Sequence, residues 1–152
     1  MTQRGVEDPN ANLDELIEAY FADQKILSAS TAQRLLDHKP IPKGPEPGYD
    51  GRLFDWLAEM LNYGPPDGPE QAWPIILQLI ERAPDDNALG MIGSGAVEDL
   101  VNRAGAEFAD RIFDEAANSR RFRLALRHVW PHQNVPNSLL SVIRNSRVVE
   151  AE

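Results

Sequence analysis

Gly93-Ser94-Gly95 is the motif in this chain with the most obvious chemistry. A glycine-rich turn that opens a helix can cradle a phosphate with its free amides. This one lacks the Gly-Lys-Ser/Thr ending of a P-loop and the third glycine of a dinucleotide fingerprint, and Glu98 and Asp99 would repel an anion. The structural reading is a tight helix-to-helix corner, with Ser94 as N-cap and glycines permitting close backbone approach. Glu98 and Asp99 then sit in a first turn, where the helix dipole favours carboxylates. The other acids cluster as Asp85/Asp86, Asp110 and Asp114/Glu115. Acid–base work or magnesium binding needs carboxylates that converge in a cleft. These fall at helix starts and on helix surfaces, where capping and solvation account for them. Glu98 is the exception, because apolar residues flank its helix and it is placed to turn inward and bond the amides of the corner.

His128 and His132 stand four apart, a spacing that on one helix aims two imidazoles at one metal. Pro131 lies between them and ends the helix near Trp130, and no third ligand is near, so neither metal nor cofactor is expected. No serine occupies a strand–turn–helix elbow. The arginines are more informative. Arg120, Arg123 and Arg127 share a helix face, with Arg121 beside them. First-turn cations oppose the helix dipole, so something must compensate. That is either pairing with Asp110, Asp114 and Glu115 of the preceding helix or an anionic partner, protein or phosphate. Trp56, Trp73 and Trp130 fall on apolar stripes or helix ends, which predicts core packing, with a binding hot spot as the alternative.

The elements that must position these groups are helices. Asn12 precedes Leu13, Leu16, Ile17, Tyr20 and Phe21 at helical spacing, and with Glu15 it resembles a capping box. A helix is predicted over 12–26, then a shorter one from Ser30 to His38 with Leu35-Leu36 as its apolar contact. Residues 39–51 hold four prolines and three glycines, which can carry neither a helix nor a central strand, so they read as a stiff surface linker. Leu53, Phe54, Leu57, Met60 and Leu61 make the next stripe, halted by Gly64-Pro65-Pro66. Another starts after Asp67, with Pro74 forcing a later start near Gln71 or a kink. Asp85-Asp86 cap a segment leading into the glycine motif. The helix beyond it runs to Gly105, and Phe108, Ile112 and Ala116 line the one after that, which fades at Asn118. Ser119 caps a helix carrying Phe122, Ala125, Leu126 and Val129, and Asn137 or Ser138 caps the last. Period-2 alternation is nowhere sustained. The expected fold is all-α: seven or eight short helices in one compact domain over 12–152, with degenerate helical-repeat packing left open, behind a loose lead-in at 1–11.

Four stretches between about 69 and 130 resemble a known family: Pro69 to Leu77, Ala83-Pro84-Asp85-Asp86, Ile92-Gly93-Ser94-Gly95-Ala96-Val97-Glu98-Asp99-Leu100, and Phe122 to Leu126 with Val129-Trp130. They are similar to small bacterial domains of unknown function built around a Gly-x-Gly-x-x-Glu-Asp-Leu core. The resemblance implies a helical fold and carries no chemistry with it. In size, acidity and architecture such domains also look like stand-alone immunity and accessory proteins of bacterial defence.

Charge narrows the function classes. The chain has 24 acids, 15 bases and a net charge of −9, the wrong sign for unselective nucleic-acid binding. Residues 67–119 hold 11 acids and 3 bases, while 120–152 hold 6 bases and 2 acids. These two regions attract each other or face different partners. There is no cysteine, which fits a reducing cytoplasm, and no apolar run nears the ~20 residues of a membrane span. The expectation is a non-catalytic, cytoplasmic, acidic domain that binds another protein, in its sharpest form an immunity-type or anti-defence inhibitor of a basic surface. Glu98, Asp99, Arg120, Arg123 and Arg127 are its candidate site. The alternatives are a small enzyme with Glu98 or Asp99 as base and Arg123 or Arg127 as anion site, and a subunit of a larger assembly, homo-oligomeric included.

Overall fold

The computed structural model describes residues 8–38 and 48–149. Part of the expected lead-in (1–7) and most of the proline-rich linker (39–47) lie outside them. A 3-10 turn at Pro9–Asn12 leads into α1 (Leu13–Asp37), followed by α2 (Arg52–Asn62), α3 (Gly68–Arg82), α4 (Asp86–Ile92), a π turn (Gly93–Val97), α5 (Glu98–Asn118), α6 (Arg120–Leu126) and α7 (Asn137–Val149). The π turn joins α4 to α5 without interruption, leaving six continuous helices and no strand among the described residues. The protein is all-α, close to the seven or eight helices the apolar spacing predicts.

The chain divides into two compact units, Met1–Trp56 and Leu57–Glu152, with the dividing point inside α2. In the first, α1 runs through the break expected between residues 26 and 30. No proline or glycine interrupts it there, and it stops at His38, which adopts a left-handed φ of 56° and donates its N–H to Arg34. Leu16, Ile17 and Tyr20 are buried, whereas Leu35 and Leu36 of the expected second helix are exposed. Asn12 makes no side-chain cap. Asp8 instead caps the preceding 3-10 turn by accepting from the N–H of Asn10. Buried Asp23 accepts the N–H groups of Asp50 and Gly51, both at 2.8 Å, immediately before α2. Arg52 closes this end by bridging Asp50 and Glu15, and its guanidinium holds the Asp50 carboxyl below the ordinary carboxylate range.

The second unit is built on Ile75, Ile76, Leu79, Leu89, Ile92, Leu100, Phe108, Phe122 and Leu139, all buried. Trp73 packs against Phe108 and Phe122 with centroid separations of 5.5 and 6.1 Å. Pro74 sits inside α3 rather than delaying it, since α3 already begins at Gly68. The predicted caps Asp85 and Ser119 both form, accepting from the N–H groups of Ala88 and Phe122. Gly105 does not end its helix. The chain kinks at Ala104 (φ −137°, ψ 27°) and continues.

The glycine motif is not a corner. Gly93 through Val97 stay helical as a single π turn, and exposed Ser94 donates its hydroxyl back to the Met91 carbonyl at 3.5 Å instead of capping. The close approach expected of the glycines is real at Gly93, where any Cβ would strike the Ala125 carbonyl of α6. Gly95 has open space around it.

Candidate functional site

Four arginines of the second unit reach the open ends of its helices. The last carbonyls of a helix have no intrahelical donor, and a guanidinium can fill several at once. Arg103 reaches the carbonyl of Met60 in the last turn of α2 and those of Gly64 and Pro65 just after it. Arg121 takes those of Ile80 and Ala83 at the end of α3, and Arg123 takes Ala116 near the end of α5. Arg147 of α7 donates Nε to the carbonyl of Arg127 and Nη2 to that of Val129, just beyond α6.

The segment between α6 and α7 is the place where several of these devices converge. Glu98 of α5 accepts the backbone N–H of Trp130 through Oε1 at 3.0 Å. Asn102 lies four residues on, hence on the same face of α5. Its Nδ2 donates to the Trp130 carbonyl at 3.2 Å and its Oδ1 accepts the His132 N–H at 2.7 Å. Its own carbonyl accepts from Asn134. Val129 and Val135 are buried on either side of this stretch. The backbone is therefore clamped at both polar groups of Trp130, while the indole is 73% exposed. Arg147 holds its guanidinium 5.4 Å from the indole centroid, within cation–π range. Trp56 and Trp73 are buried as core packing requires, and Trp130 corrects that expectation. Its stripe ends at Leu126, so Trp130 falls outside the helix that would have turned it inward.

The predicted site residues do not gather around one cleft. Glu98 is half-buried, and its carboxylate accepts from the amide of Trp130 rather than from those of the glycine turn. Asp99 accepts from Asn62 Nδ2 at 3.2 Å. Arg120 is exposed at the first position of α6, and Arg127 is half-buried at its C-cap. Arg123 also borders a small open cleft of about 250 Å³ with Phe113, Ala116, Val142 and Asn145. The His128 ring lies against Gly90. Among the described residues no group of three His, Asp or Glu is placed to hold a metal ion. Sequence reasoning missed Asn102 and Arg147. The four-residue step from Glu98 to Asn102 was a usable signal for the first; nothing local marks Arg147.

The fold and this clamp define an all-helical unit in which Arg103, Arg121, Arg123, Arg147 and Glu98 serve the unit's own backbone. A family model matches residues 45–150, and the chain belongs to that family, DUF6869, a family of unknown function. No curated protein and no solved structure matches the chain. Among the described residues no helix is long and apolar enough to cross a membrane.

Proposed function

We propose that the chain is a non-catalytic protein-interaction domain and that Trp130 is its anchor. One observation carries this reading: a large aromatic side chain faces solvent at 73% exposure on a backbone fixed from α5 and α7. An indole presented without loop freedom has little ordering entropy left to lose on docking, which is the property of a binding hot spot. The enzymatic alternative requires a free base beside an anion site. Glu98 instead engages a backbone amide, and Arg123 a backbone carbonyl.

The sharper form is an immunity-type or anti-defence inhibitor acting in the cytoplasm, with the acid-rich 67–119 region steering it toward a basic protein surface. Glu107, Asp110 and Asp114 support it, being exposed and recurring along one side of α5. The test is capture from the native host with the wild-type chain and Trp130→Ala, at low and high salt. The expected result is a protein partner bound at least tenfold more weakly by the variant and released by salt. Equal capture by both chains would refute Trp130 as the anchor.

A further inference from the structure

The surroundings of Trp130 have the opposite sign to the chain as a whole. The net charge is −9, yet Arg127 and Arg147 meet at this end of the second unit. Arg147 stands over the indole, and its bonds to Arg127 and Val129 use Nε and Nη2, not Nη1. Arg144 is exposed three residues earlier on α7, on the same side as Arg147. Arg127 is half-buried, with its carbonyl bonded to Arg147, and His128 and His132 are exposed on the loop itself. Among the described residues Glu98 is the carboxylate that hydrogen-bonds the loop, and its Oε1 is committed to the Trp130 amide.

We infer that the Trp130 platform docks an acidic segment of a partner protein: an apolar side chain covers the indole and flanking carboxylates meet Arg144 and Arg147. The inference rests on the anchor reading above and adds to it the chemistry of the partner. Planar guanidinium groups pair carboxylates in two-point geometry, and an aromatic face beside them excludes water from that contact. Steering and docking are then separate: the α5 acids act at a distance, and the arginine rim acts at contact.

Two synthetic peptides of equal length test it, each with a central leucine, one flanked by glutamates and the other by lysines. Trp130 is the exposed tryptophan, so emission of the full chain reports contact with it. At low ionic strength the glutamate peptide is expected to shift that emission and to bind at least fivefold more tightly than the lysine peptide. Arg144→Glu should erase that preference, and Trp130→Phe should abolish the emission change while circular dichroism shows both variants folded. A lysine peptide that binds as tightly, through Trp130, overturns the acidic partner and leaves the anchor standing. A glutamate peptide that leaves the spectrum unchanged overturns the inference, as does a short DNA oligonucleotide that competes it away. Equal host-protein capture by wild type and Trp130→Ala defeats the anchor reading itself.

Discussion

A methyl group at position 93 would collide with the backbone carbonyl of Ala125, whereas one at position 95 would meet nothing within 4 Å. The two glycines look equivalent in sequence and are opposite in consequence. Gly93→Ala should cost about 3 kcal/mol, because the carbonyl of a packed helix cannot step aside. Gly95→Ala should be neutral or stabilise by roughly 0.5–1 kcal/mol, since alanine removes backbone freedom from the unfolded chain. Paired urea titrations read both signs in one experiment. The same contrast explains what was legible at single residues. Asp85 and Ser119 announce themselves as caps because a cap acts on the next three residues. Glu98 could be picked out as an acceptor of backbone amides, but the amide it takes is that of Trp130, more than thirty positions away, and no local pattern encodes that distance.

At the scale of the element, α4 and α6 begin on local side-chain caps, whereas carbonyls at the ends of α2, α3 and α6 are met by remote arginines. Arg121 illustrates the second case, with its guanidinium on the carbonyls of Ile80 and Ala83. Arg121→Met keeps the aliphatic stem and removes the donors, and it should lower stability by about 1–2 kcal/mol with an unchanged denaturant slope. A changed slope would mean that the α3 end had come apart rather than lost a cap. The boundary errors are of another kind. Starts at Asp85 and Ser119 were readable, as were the stops near His38 and Asn118, while the continuity of α1 and α5 across the expected breaks was not. Serine and alanine between residues 28 and 32 neither break nor enforce a helix, so the continuity of α1 is not decided locally. Gly105 suggests a stop that tertiary packing overrides, and the helix kinks one residue earlier, at Ala104.

For the molecule as a whole, the division between an acid-rich middle and an arginine-rich end was readable from composition alone. The inward use of those arginines was not, because counting charges says nothing about which carbonyls lie beside them. Ionisation offers a separate handle on the first unit. Burial pushes the Tyr20 phenol up from 10.0 to about 12, opposed in part by its hydrogen bond with Gln24. A raised folded-state value means that the folded chain keeps its proton longer. The contribution is therefore complete below pH 10 and is lost as pH climbs through about 12. Thermal melts across that range should show wild type falling by up to about 2 kcal/mol relative to a Tyr20→Phe chain, which lacks the titrating group. The π turn at Gly93–Val97 bears on chain length rather than charge. Such a turn houses one residue more than an ordinary α-helical path, so the spare residue bulges while the helix beyond keeps its facing. Dropping exposed Ser94 would let the bulge relax with Leu100 and Phe108 still aimed at the core. Dropping one residue from the middle of α5 would instead swing everything beyond it by about 100°.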